Sequence, residues 1–113
     1  MIYLINNNIL FNTEDRSLVM QDDALSAMTL SNSSSRLLFE LLHHRGQALS
    51  RDVLLETVWD NYGLVSSNSN LNHYMSRLRK KLDFFNVPER GIITVPKKGF
   101  KFNENVPVIL LSQ

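Results

Sequence analysis

The sequence predicts a single α+β domain: a small antiparallel sheet of about four strands, then three helices, then a C-terminal β-hairpin. Three observations carry this prediction. The chain has 113 residues, 43% of them hydrophobic, enough for one modest core. In the first thirty residues short apolar clusters alternate with turn-forming polar breaks, the pattern of a meander. From Ser31 onward the apolar residues recur at helical spacing, until Pro88 and Gly91 interrupt it.

The strand clusters are Ile2–Ile5, Ile9–Phe11, Leu18–Met20 and Ala27–Leu30, separated by 6–8, 13–16 and 21–23. The run Ser31–Ser35 then offers N-caps for a first helix, Ser31 and Ser33 being the better placed. Leu37, Leu38, Leu41 and Leu42 form its apolar stripe. His43, His44 and Arg45 suit the negative end of the helix dipole, and Gly46 supplies a left-handed stop. Ser50 caps a second helix with Asp52 in its first turn. Its expected buried face is Val53, Leu54, Thr57 and Val58, with Trp59 as core at its end and Asn61-Tyr62-Gly63 as its break. A third helix runs from about Asn68 to Phe84, with Leu71, Met75, Leu78 and Leu82 on one stripe. Ile92–Val95 reads as a strand, Pro96–Gly99 as a turn in which Gly99 takes the positive φ, and Phe100–Phe102 as the return.

Composition excludes several functions. There is no cysteine, hence no disulfide scaffold, zinc-thiolate site or thiol nucleophile. No stretch approaches the roughly 20 apolar residues of a membrane span, and no secretory leader pattern is present. The expected location is the cytoplasm, or the cytoplasmic part of a membrane-anchored protein if the chain is a fragment. His43 and His44 are adjacent on a helix and cannot both face one metal. No nucleophile motif or Gly-rich phosphate loop occurs. The expectation is therefore no enzyme, no catalytic residues, no metal, no cofactor and no small-molecule substrate.

The formal net charge of +1 conceals a polarity: residues 1–63 sum to −4 and residues 64–103 to +6. A basic half suggests a polyanionic partner. On a wheel of about 100° per residue, Ser69, His73, Ser76, Arg77 and Lys80 lie opposite the third helix's apolar stripe. Asn70 and Asn72 flank them. No Asp or Glu occurs from 61 to 82. Arg, Asn, Ser and His side chains all reach base edges in the major groove, which admits one helix. Lys97 and Lys98 at the hairpin tip, with Lys101 on the return strand, look like a phosphate or minor-groove contact.

Leu49-Ser50-Arg51, Val58-Trp59, the run from Ser76 to Leu82 and the run from Thr94 to Phe102 resemble the OmpR/PhoB-type winged helix-turn-helix domain. The match is nearest to ToxR- and CadC-like regulators that lack a receiver domain, and it covers about Tyr3 to Phe102. The resemblance implies a sequence-specific transcription regulator of bacterial type binding double-stranded DNA at promoters. Its recognition helix (about 68–84) would enter the major groove, and its wing (92–102) would reach the minor groove or backbone. By position the family's contacts fall on Ser69, Asn70, Asn72, His73, Tyr74, Ser76, Arg77 and Arg79, and on Thr94, Lys97 and Lys98; Lys80 adds phosphate attraction. Tyr74 lies near the buried edge of the wheel and carries little weight. The loop 61–67 matches a segment that in this family touches RNA polymerase, and a homodimer on DNA is expected. Two departures stand out: Ser35 replaces a usual helix-one aromatic, and Ser69 and Ser76 occupy positions often basic. Residues 1–103 are read as the domain. The apolar tail 104–113 is a packing strand, a linker or a docking segment. The rival reading is a winged-helix protein-interaction module without DNA readout.

Overall fold

The computed structural model describes residues 1–87 and 91–113. The elements are β1 (Ile2–Ile5), β2 (Ile9–Asn12), β3 (Ser17–Met20), β4 (Asp23–Thr29), α1 (Asn32–His43), α2 (Arg51–Val58), a 3-10 turn (Asp60–Tyr62), α3 (Asn68–Phe84), β5 (Ile92–Val95), β6 (Gly99–Phe102) and β7 (Val108–Ser112). The helical stop assigned to Pro88 lies outside the described residues. Among the described residues, no helix is long and apolar enough to cross a membrane.

Turn chemistry sets the sheet. Asn6 and Asn7 take positive φ between β1 and β2, conformations that asparagine tolerates better than most side chains. The strand order is β4-β3-β2-β1-β7, all antiparallel. The sheet thus has five strands, not four. The apolar run near the C-terminus returns to β1, pairing Tyr3 with Leu110 and Ile5 with Val108. β1 would otherwise present an unpaired row of N–H and C=O groups. β4 also starts earlier than the apolar cluster suggests, at Asp23, because the break before it tightens to two residues.

Each helix is capped by a serine. The Oγ of Ser31, Ser50 and Ser67 accepts from the N–H of Ser34, Val53 and Asn70 at 3.1, 3.1 and 3.0 Å, each typically worth about 1 kcal/mol. Leu37, Leu38, Leu41 and Leu42 of α1, Leu54 and Val58 of α2, and the α3 stripe meet Tyr3, Ile5, Ile9, Phe11 and Leu18 of the sheet in one core. In α2 the buried face differs from expectation. Val53 is exposed and Thr57 bonds back to its own helix, while Leu55 packs on the core. The helix is only eight residues long and rests on its neighbours through one narrow edge.

Ser35 leaves the start of α1 in place. Its N–H donates to Ser31 O at 2.9 Å, and its side chain is buried. Beside it lies an open hollow of about 280 Å3, lined by Met1, Thr13, Ser35, Arg36, Phe39 and Tyr62.

The β5–β6 hairpin is fastened along its return strand. Leu49 N–H donates to Phe100 O at 2.7 Å, Phe100 N–H to Leu49 O at 2.9 Å, and Gly46 N–H to Phe102 O at 3.0 Å. At its tip Lys98 N–H closes a turn onto Val95 O, with Lys97 at φ +66°. A lysine therefore takes the left-handed position beside Pro96, in addition to Gly99. Gly99 has φ +131°, and a Cβ there would collide with the Leu49 carbonyl. Gly99→Ala should cost about 2–4 kcal/mol in a urea titration. Gly46→Ala, where a Cβ meets Glu104 at an ordinary 3.5 Å, should cost about 1 kcal/mol. Equal losses would show that contact with Leu49 does not constrain the hairpin.

Candidate nucleic-acid interface

Burial of Leu71, Met75, Leu78 and Leu82 turns the other side of α3 outward. Ser69, Asn70, Asn72, His73, Ser76, Arg77 and Lys80 are all exposed. Tyr74 is half-buried, its ring centroid 5.7 Å from that of Trp59, and the Arg77 guanidinium lies 5.9 Å from the Tyr74 ring. Tyr74 therefore acts as a packing residue and helps to seat Arg77.

Arg79 departs from the simple picture of a free cation. It is half-buried, and its Nη2 donates to Ile92 O at 3.2 Å and to Thr94 Oγ1 at 2.8 Å. Burial pushes its pKa below the ordinary arginine value. These bonds join α3 to the hairpin, so two residues assigned to separate elements by sequence form one contact. Lys97 and Lys98 are exposed at the hairpin tip. Lys101, by contrast, pairs with Glu104 at 3.3 Å. The Glu104 carboxyl is held below its usual range by its own backbone N–H and by Lys101.

Between α2, the start of α3 and the hairpin lies an open crevice of about 460 Å3, bordered by Arg51, Asn68, Lys97 and Lys98, with Asp52 on its rim. Arg51 is the residue the sequence reading left out of the site. Its Nε donates to Asn68 Oδ1 at 2.8 Å; its Nη2 donates to Asn68 O at 3.1 Å and Asn72 Oδ1 at 2.8 Å. Arg51 and Arg79 lie 5.6 and 5.7 Å from the Phe100 ring, within cation–π range. A signal was present in the sequence. A cation in the first turn of a helix opposes the dipole, so Arg51 needs a partner elsewhere.

The remaining histidines are spoken for. His43 stacks on Phe39 and its Nδ1 lies 3.3 Å from Tyr3 Oη, while His44 lies 3.6 Å from Glu40. In the loop 61–67, Gly63 takes φ +70°, Arg36 sits 3.7 Å over the Tyr62 ring, and Leu64 and Val65 are exposed.

A model of the family "Transcriptional regulatory protein, C terminal" matches residues 26–102, which include α1 to α3 and the hairpin. The chain belongs to this family. Within it, the chain is 29% identical over 99 residues to the cholera toxin homolog transcriptional activator of Vibrio parahaemolyticus, covering 88% of this chain and 34% of that protein. It is 25% identical over 107 residues to the cholera toxin transcriptional activator of Vibrio cholerae, covering 95% and 36%. The chain thus spans about a third of the length of these relatives. The solved DNA-binding domain of Escherichia coli CadC superposes with a TM-score of 0.79 at 28% identity, covering 96% of this chain and 94% of that one. The DNA-binding domain of Klebsiella pneumoniae RstA, solved in complex with the RstA box, gives 0.64 at 27% identity, covering 85% and 91%. In this OmpR/PhoB-type fold, α2 and α3 are the helix-turn-helix pair and β5–β6 is the wing.

The joint between α3 and the wing makes a prediction. Arg79→Met should destabilise the domain by on the order of 1–3 kcal/mol, because Ile92 O and Thr94 Oγ1 lose their donor. Lys80→Ala, on the exposed face, should stay within about 0.5 kcal/mol of the parent. Denaturant midpoints of the two variants check this.

Proposed function

We propose that this domain is the sequence-specific, double-stranded-DNA-binding part of a transcription regulator, acting at promoters. The observation that carries the reading is the outer face of α3, free of Asp and Glu from Asn68 to Leu82, held beside a wing whose tip is Lys97 and Lys98. One α-helix fits the major groove. Asn72, His73 and Ser76 read base edges there, Ser69 and Asn70 set the entry of the helix, and Arg77 and Lys80 draw in phosphates. Arg79 and Thr94 add charge and a hydroxyl while holding the wing, and Lys97 and Lys98 meet the backbone or the neighbouring minor groove. The names of the Vibrio relatives and the RstA complex support DNA as the partner. Such a partner puts the domain in the cytoplasm. Residues 1–103 form the winged-helix unit and 104–113 add the strand that covers β1.

The exposed Leu64 and Val65 suit the loop 61–67 to a protein contact, read here as RNA polymerase. With serines at 69 and 76, one domain has few phosphate contacts, so high-affinity binding requires a homodimer on DNA.

Three measurements test the reading. Selection from a random duplex pool should enrich a defined motif; featureless retention would favour the protein-interaction module. Lys97→Ala with Lys98→Ala should reduce the slope of log K against log salt by about 2 with the motif unchanged. An unaltered slope would remove the wing from the interface. Asn72→Ala or His73→Ala should instead change base preference, at about 1–3 kcal/mol per lost base contact.

A further inference from the structure

Asn72 is exposed on α3, yet its amide is not free to turn. The Arg51 guanidinium approaches it at 2.8 Å while bonding Asn68 twice and packing near Phe100. A guanidinium has five donors and no acceptor. The Asn72 atom it meets must therefore be the carbonyl oxygen, and the NH2 group is turned away from Arg51. An unrestrained Asn presents a donor and an acceptor together, the pairing suited to adenine N6 and N7. With Oδ1 engaged, Asn72 presents chiefly two donors.

We infer that Arg51 is a specificity-determining positioning residue, which fixes the Asn72 amide so that it reads a hydrogen-bond acceptor on the base edge. The groups it would select are a purine N7, guanine O6 or thymine O4; the N4 donor of cytosine is rejected. This rests on the DNA-binding reading above and goes beyond it in naming the edge chemistry at one base position. The geometry behind it is over-determined. Three hydrogen bonds from one guanidinium to two residues a helical turn apart leave Arg51 little rotational freedom, and Asn68 Oδ1 and Asn72 Oδ1 both face it.

The test is selection from a random duplex pool with the full chain, comparing the parent with Arg51→Met, Arg51→Lys and Asn72→Asp. Met keeps an unbranched stem of similar reach without donors, Lys keeps the charge without the fork, and Asp keeps the shape of Asn72 without its donors. Thermal melting confirms that each variant is folded. The parent should enrich a motif with one position restricted to acceptor edges. If that position is a purine, replacing its N7 by C–H should weaken binding by about tenfold. Arg51→Met should relax that position alone, admitting cytosine through its N4 donor and strengthening adenine through a bidentate pairing, and Arg51→Lys should relax it in part. Asn72→Asp should lose the preference entirely. The inference is overturned if the Arg51 variants enrich the parent motif unchanged while affinity falls uniformly, since Arg51 is then a phosphate or structural contact and the DNA-binding reading stands. A parent that enriches no motif overturns both.

Discussion

Burial of the Leu71–Met75–Leu78–Leu82 stripe is the constraint on which the rest depends. Each of these side chains is buried, a gain on the order of 1.5–3 kcal/mol apiece relative to exposure. Rotating α3 about its axis would forfeit that gain and drive Arg77 and Lys80 into the core uncompensated. The direction in which the polar face points is thus set by leucines and a methionine on the opposite, buried side of the helix. The same packing draws in α1 and the inner face of the sheet, so the outer face of α3 is displayed from a rigid base.

Orientation within that face is set by two arginines. Arg79 ties α3 to Ile92 and Thr94 of the wing, Arg51 ties α2 to Asn68 and Asn72 of α3, and both lie near Phe100. Phe100 is itself held by paired backbone bonds to Leu49. Helix-turn-helix and wing are therefore one mechanical unit. The cations that hold it also contribute charge to the surface, leaving Arg77, Lys80, Lys97 and Lys98 as the more freely disposed charges.

Much of this was legible in the sequence, for physical reasons. The serine caps at Ser31 and Ser50, the single stripe of α3 and the Ile92–Val95/Phe100–Phe102 alternation are local signals, and each appears at or within a residue or two of its predicted place. The fifth strand was legible only as one of three readings of the apolar tail, and its partner not at all. Val108–Ser112 pairs with a strand more than a hundred residues earlier, and no local pattern reports such a partner. Val53 misled because an eight-residue helix has too few turns for periodicity to separate its faces. The positive φ of Lys97 follows from the Val95–Lys98 turn with Pro96 at its second position, where Gly99, two residues on, drew attention. Within the candidate site, side-chain exposure on α3 followed the wheel, including the inward lean of Tyr74. The wheel gave no warning that Arg79 and Thr94 bond each other, or that Arg51 reaches Asn72 across a helix boundary. Tertiary hydrogen bonds of long side chains leave no period in a sequence.

Backbone amide chemical-shift mapping during titration with a short duplex at low salt tests the central claim most directly, since even non-specific duplex engages a preformed cationic face. The account predicts shifts concentrated at Ser69, His73, Ser76, Arg77 and Lys80 and at the Lys97–Lys98 tip, with the Leu4, Leu10 and Ile109 strands unmoved. Shifts centred on those strands, or none at α3 and the wing while the duplex binds, would contradict it.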